Sequence, residues 1–342
     1  MTDTTIAGQA GSRAQRKIWP AELNAMIGLI AIMILFEVIG WIVVDQSFLM
    51  NKLRLSIMIT QVAVVGILAV GVTQVIISGG IDLSGGSIIG ATAMIAMSFA
   101  QVGTNQRAVF FSQGWVDLPI VVPILVGLSV ALICGLINGL LIAYVKLPSF
   151  IATLGMMVSA RGVALWYTKG QPLSFPTEKF MAIGDGLMPV WIFIGVALLF
   201  SLILKFTVYG RHTYAIGSNE ASARMSGINV ERHLLLVYVI SAMLAGLAGL
   251  VLIARAQTAQ PVFGTMNELD AIAMAVIGGV SLSGGRGSIL GTALGMLIFG
   301  VIFSGFIFLS VDAYYQNMVK GAIIVGAVAL DQWRQKRQAR EV

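Results

Sequence analysis

Between Ala25 and Leu330 the chain keeps returning to one feature: runs of about 20 residues with almost no charge, each long enough as a helix to cross a bilayer's roughly 30 Å of hydrocarbon. Nothing else constrains the fold as strongly. In hydrocarbon every backbone N–H and C=O must be paired within the protein, which leaves only helices and closed barrels. Barrel strands alternate apolar and polar residues, whereas Val62 to Val72 and Val190 to Leu204 are apolar on every face, so a barrel is excluded. A soluble fold is excluded too, because 11% charged residues beside 58% hydrophobic ones cannot clothe a water-facing surface. The expected fold is an all-α integral membrane protein of about ten transmembrane helices, with an internal repeat and broken or short helices.

Spans are expected near residues 24–44, 54–78, 85–101, 119–145, 150–168, 190–207, 233–255, 268–280, 287–310 and 315–332. They form a single transmembrane domain, 24–332, between tails 1–23 and 333–342, with no extramembrane unit large enough for a core of its own. The eighth span is too short to cross upright and is expected to be broken or re-entrant. Arg13, Arg16 and Lys17 precede an apolar run that no small-residue cleavage site closes, so the first span is expected to be retained. With the amino end inside, thirteen Lys and Arg fall on the inner face, six on the outer, and only Arg161 and Lys320 within spans. That bias predicts both termini in the cytoplasm.

The net charge of +6 does not point to nucleic acid, since the basic residues sit at both ends and in one loop rather than in a stripe with interleaved aromatics. Cys134 is the single cysteine, and His212 and His233 have no metal-ligand spacing, so neither a metal nor another cofactor is expected.

The chain also repeats itself. GGIDLSGG (Gly79 to Gly86) matches GGVSLSGG (Gly278 to Gly285) at six of eight positions, and after the insertion Arg286-Gly287, SIIG (Ser87 to Gly90) matches SILG (Ser288 to Gly291) at three of four. A duplicated, transporter-like architecture follows, with the two breaks on the same face by span count or on opposite faces if the repeat is inverted. Paired glycines break a helix and free backbone groups, tolerable at membrane depth only where protein or a water-filled cavity receives them. Asp82 and Ser84, with Ser281 and Ser283 in the second copy, are therefore either helix caps or the lining of a translocation pathway. A proton relay is disfavoured because Ser281 replaces Asp82 in the second copy.

Small residues four apart (Gly86/Gly90, Gly135/Gly139, Gly291/Gly295) suit close helix packing, and Asn138 inside the second pair must bond across helices or to a passing solute. Arg161, midway along its span, must find an internal partner such as Asp82, snorkel, or touch the transported molecule.

The most informative loop is 208–232. Its amphipathic stretch, Asn219 to Met225, follows Gly217 and ends in Ser226-Gly227, the pattern of a short helix capped at both ends. Such a helix is either a solvated connector or a docking element for another protein.

Four segments in order, GGIDLSGGS (Gly79 to Ser87), PSFIATLGMM (Pro148 to Met157), AIGSNEASARMSGINV (Ala215 to Val230) and ELDAIAMAVIGGVSLSGGRGSILGT (Glu268 to Thr292), resemble the permease subunit of a ribose/xylose/inositol-type ABC sugar importer over nearly the whole chain. The resemblance implies a multi-pass protein of the bacterial inner membrane, a homodimer of permeases, a cytoplasmic ATPase carrying two fused cassettes, and a periplasmic sugar-binding protein. It also implies that Gly217, Asn219, Glu220, Ala221, Ala223, Ser226 and Gly227 form the element that couples to the ATPase. Gly85 and Ser149 depart from the family's usual Val and Pro. ATLGMMVSARG (Ala152 to Gly162), SGINVERHL (Ser226 to Leu234) and VDAYYQ (Val311 to Gln316) are most similar to myo-inositol permeases, with ribose, xylose or galactose as other solutes.

The chain carries no G-x-x-x-x-G-K-[ST] phosphate loop, H-E-x-x-H or G-x-S-x-G, so it is expected to be a transport subunit energised by another chain rather than an enzyme. The alternative is a cation-coupled transporter using Glu37, Asp82, Asp270 or Asp312, which the scatter of those carboxylates argues against.

Overall fold

The computed structural model describes residues 21–340, so Arg13, Arg16 and Lys17 of the expected amino tail lie outside the described residues. Helix α1 (Ala21–Ile39) runs into a π-helical turn (Gly40–Val44) and is followed by α2 (Lys52–Ile77), α3 (Gly85–Ala100), α4 (Val121–Ala143) and α5 (Ser149–Thr168). Strand β1 (Leu173–Ser174) and the single turn α6 (Glu178–Met181) lead to α7 (Met188–Phe206), α8 (Val208–Ser218) and α9 (Glu220–Met225). Then come α10 (Val230–Ala256), β2 (Thr258–Ala259), α11 (Asn267–Ile277), α12 (Ile289–Phe308) and α13 (Ala313–Arg340). Among the described residues seven helices, α1 with its π turn, α2, α4, α5, α7, α10 and α12, are long and apolar enough to cross a bilayer. The remaining expected spans fall on α3, α11 and α13.

Helices α2 and α10 have apolar residues on all sides because both are central: from Val62 to Ile77 every residue but Val65 is buried. Glycine lets α4 lie directly on α10, since a Cβ at Gly135 would stand 2.9 Å from the Val239 Cα and one at Gly139 3.0 Å from the Leu235 Cα. Peripheral α1 and α7 expose Ile34, Val38, Leu198 and Leu202, as helices bathed in lipid do.

The eighth span crosses in two halves. Helix α11 has 11 residues, only about 16 Å of rise, and the rest of the crossing is made by non-helical chain after β2, which pairs antiparallel with β1. Helix α3 has a similar prelude, residues 80–84 reaching its start without helical structure.

Both glycine breaks lie on one face and touch. Gly285 N donates to the Ile77 carbonyl at 2.8 Å, and α2–α3 and α11–α12 run in the same senses, so the copies are parallel. Their register differs from the sequence alignment by one residue. The positive-φ position closing α2 is Gly79 (φ +86°), whereas the one closing α11 is Gly279 (φ +93°), not Gly278. Helix α12 begins only at Ile289, capped by Ser288, because Gly284, Gly285 and Gly287 all take positive φ and prolong the turn.

Two further differences from the sequence reading concern polar segments. Residues 208–218, read as loop, form α8, whose start is capped by Thr207 and whose Tyr209, Thr213 and Tyr214 bond to the body of the protein. The last helix continues to Arg340, so the expected tail from residue 333 is helical to that point.

Candidate translocation and coupling sites

Asp82 is the hub of a buried polar network. Its Oδ1 accepts from Ser84 N at 2.9 Å and from the Ser84 hydroxyl at 2.6 Å, and its Oδ2 accepts from the Ser241 hydroxyl of α10 at 2.8 Å. Asn138 of α4 donates through Nδ2 to Ser84 Oγ at 2.9 Å, leaving its Oδ1 without a partner. Each of the four is at most 1% exposed, and within one chain Asp82, Ser84 and Asn138 fasten the start of α3 to α4 and α10. The reason is the non-helical run before α3: its free N–H groups need acceptors at a depth where water cannot serve. In the second copy the buried Ser281 and the exposed Ser283 belong to one turn, in which Gly284 N donates to the Ser281 carbonyl at 3.0 Å.

Arg161 does not pair with Asp82. Its guanidinium donates to the carbonyls of Pro261, Phe263 (2.8 Å) and Gly86 (3.3 Å). The first two belong to the non-helical half of the eighth span and the third to the first turn of α3. One side chain thus receives the backbone acceptors that both broken segments leave open. Its planar fork of five donors suits this task, and a lysine's point charge does not.

On the face where the glycine breaks meet, Asn219 caps α9 by accepting from Ser222 N at 2.9 Å, and Gly227 (φ +83°) turns the chain away after Ser226. Asn219, Glu220, Ala221, Ser226 and Gly227 are exposed, as is Met225 at 83%. Two residues assigned to this element by resemblance face inward instead. Ala223 is buried with Ile216 and Val230, and Gly217 packs so closely on the Ile77 carbonyl and Gly285 that no Cβ fits. They fix the element to the body of the protein. Glu220 is engaged as well: Arg224 pairs with it at 3.0 Å and with Glu231 at 2.6 Å, and Lys146 closes the chain on Glu231 at 2.8 Å. Bonding to the two carboxylates raises the Arg224 pKa further. Helix α8 transmits the position of α9 inward, through Tyr209 to Gln74 (2.9 Å), Thr213 to His233 (2.9 Å) and Tyr214 to the Gly287 carbonyl (2.8 Å).

A cavity lies elsewhere in the chain. It has a volume of about 500 Å³ and is lined by α2, α11, α12 and α13. Polar groups of Gln61, Asn267, Asp270, Asn317 and Lys320 share it with the rings of Phe299 and Phe303, whose centroids are 4.4 Å apart. Lys320 pairs with Asp270 at 2.9 Å and lies 4.9 Å from the Phe303 centroid. The sequence reading assigned none of these residues to the pathway. The available signal was Lys320 inside an apolar span, because a charge at that depth faces water or a partner. The four carboxylates of a cation-coupled mechanism remain apart: Glu37 accepts from Leu49 N and Trp41, Asp82 from serines, Asp270 holds Lys320, and Asp312 begins α13. Among the described residues no group of three or more His, Cys, Asp or Glu is placed to hold a metal ion.

A parallel duplication of broken helices around a central pair, with an exposed capped helix on one face, defines a multi-pass permease. The family described as "Branched-chain amino acid transport system / permease component" matches residues 54–328. The chain is 37% identical to the ribose import permease protein RbsC of Escherichia coli K12 over 344 residues, covering 98% of this chain and all of that one. It is 39% identical to the Bacillus subtilis RbsC over 317 residues (91% and 92% covered). To the galactose/methyl galactoside import permease protein MglC of E. coli K12 it is 37% identical over 307 residues (86% and 90% covered). No solved structure matches. The chain belongs to this permease family, as a ribose/xylose-type sugar permease of an ABC importer: a multi-pass inner-membrane transport component, not an enzyme, that works with an ATPase and a periplasmic binding protein.

Proposed function

We propose that the chain, as a homodimer with both termini in the cytoplasm, carries a neutral sugar or polyol through the polar and aromatic cavity between α2 and α11–α13, driven by an ATPase with two fused cassettes that seats α9. The cavity carries the solute part of this reading. Aromatic rings take the C–H faces of a sugar while amide and charged groups take its hydroxyls, and Phe299 and Phe303 line one space with Gln61, Asn267 and Asn317. Asp82, Ser84 and Asn138, buried within one chain, are the other lining proposed for the path. The candidate solutes are myo-inositol, on the likeness of 152–162, 226–234 and 311–316, and ribose, xylose and galactose, two of which the relatives' names carry.

The test is uptake into proteoliposomes holding the permease, its ATPase and its binding protein, with ATP inside. Uptake of one of these solutes that needs ATP and persists with the proton gradient collapsed supports the reading. Uptake driven by the gradient without ATP overturns it in favour of cation coupling.

A further inference from the structure

A second cavity, about 520 Å³, opens beside the coupling face between the end of α7, α8 and the start of α12. Its lining includes Lys205, Arg211, Tyr214 and Ser288. Lys205 and Arg211 are exposed, and among the described residues neither is in an ion pair. Ser288 and Ile289, which form the cavity wall opposite, begin a helix of 20 residues, and a helix start carries partial positive charge. One carboxylate stands nearby: Glu22 accepts from the Ser288 hydroxyl at 2.7 Å but does not line the cavity. Two cations against one engaged carboxylate leave the space positive.

The flanks are apolar. Exposed apolar side chains adjoin the lining in sequence: Leu202 and Phe206 (55% and 65% exposed) lie on either side of Lys205, and Leu290 (59%) follows Ile289, where α7 ends and α12 begins, both helices long and apolar enough to cross a bilayer. The cavity therefore sits at the depth of lipid headgroups, with greasy surface leading from it toward the bilayer centre. We propose that it binds the headgroup of an anionic phospholipid from the leaflet on the coupling face, the phosphate between Lys205 and Arg211 and an acyl chain lying over Leu290. Basic pockets between spans at this level are suited to such headgroups. A free phosphate would use the two cations and leave the apolar border idle, which is why the lipid is the occupant argued for. Arg211 and Tyr214 belong to α8, so a bound lipid would brace the strut that carries α9.

The experiment uses the full-length chain, stripped of lipid in detergent, with phosphatidylglycerol, phosphatidylcholine or inorganic phosphate added at equal concentration. Phosphatidylglycerol is expected to raise Tm and to remain bound in native mass spectrometry, the other two to do neither. Lys205→Gln/Arg211→Gln should lose the difference. Lys205→Arg/Arg211→Lys, which keeps the charges, should retain it, as should Lys169→Gln/Lys179→Gln on the opposite face. Equal stabilisation by the two phospholipids overturns recognition of charge, and stabilisation by phosphate equal to that by phosphatidylglycerol overturns the lipid. Selectivity that survives Lys205→Gln/Arg211→Gln overturns the site.

Discussion

Lys320 Nζ stands 2.9 Å from Asp270 Oδ2, and this ion pair ties α13 to α11 along the wall of the polar cavity. Asp270 is 6% exposed, so it depends on that partner. Removing one member of a buried pair strands the other at a cost of about 3 kcal/mol or more, whereas removing both costs far less. Lys320→Met is thus expected to lower Tm clearly in detergent, and Lys320→Met/Asp270→Asn to recover most of the loss. Equal losses in the single and double variants would show that the two charges are uncoupled.

The sealed network and the open cavity make opposite demands on a thiol reagent. Cys134 is the chain's single cysteine and is buried, so Cys134→Ala gives a clean background. Cysteines introduced at Ser84 and Asn138 should resist small water-soluble reagents, while one at Asn317 should react and be protected by the transported solute. Fast labelling at position 84 or 138 would return those residues to the pathway.

Arg161 satisfies three carbonyls of two non-helical segments. Each buried acceptor left open costs about 1–3 kcal/mol, so Arg161→Met is expected to destabilise by several kcal/mol. Arg161→Lys should recover only part, because one ammonium cannot span the three positions. Thermal unfolding of the detergent-solubilised variants measures both, and a lysine variant as stable as the parent would refute the fork argument.

The spans were legible because burial in lipid leaves a long, contiguous mark: every expected apolar run contains a helix, and Ser226-Gly227 announced the end of α9, whose start the sequence set after Gly217 and the structure caps with Asn219. What stayed hidden depends on contacts distant in sequence. Whether Asp82 faces solute or Ser241, 159 positions away, is decided by helix packing, as is the meeting of Gln61 with Lys320 around one cavity. Helix α8 was missed because its polar residues look like loop until they are seen bonded to Gln74, His233 and Gly287. The one-residue shift between repeats was invisible because either glycine of each pair can adopt positive φ.

Two glycines of the coupling face illustrate how packing separates residues of the same type. A Cβ at Gly217 would collide with the Ile77 carbonyl, and no flexible side chain is there to yield. Gly227 has nothing within 4 Å of that position and is constrained only by its φ of +83°. Gly227→Ala should therefore cost about 1–2 kcal/mol, the penalty of a left-handed backbone, and leave folding intact. Gly217→Ala should cost more and loosen the contact between the two glycine breaks. Comparison of the two Tm values tests this, and a larger loss at Gly227 would contradict it.

The coupling proposal is tested most sharply by neighbouring alanines. Helix α9 has six residues, too few to be stable alone in water, and Ala223 holds it against Ile216 and Val230. Ala221, two positions away, is exposed. Arginine at position 223 must push into that small core, so Ala223→Arg should lower Tm and ATPase binding together. Position 221 is exposed and an arginine there does not enter that core, so Ala221→Arg should keep nearly the parent's Tm and yet fail to capture the ATPase or support ATP-driven uptake. Glu220→Gln should have a milder effect, since Glu220 already pairs with Arg224 and is not a free charge awaiting a partner. Capture of the ATPase by affinity-tagged permease, read beside Tm, separates the outcomes. If Ala221→Arg binds the ATPase and transports normally, the exposed side of α9 is only a connector, and the docking surface must be sought elsewhere on this face.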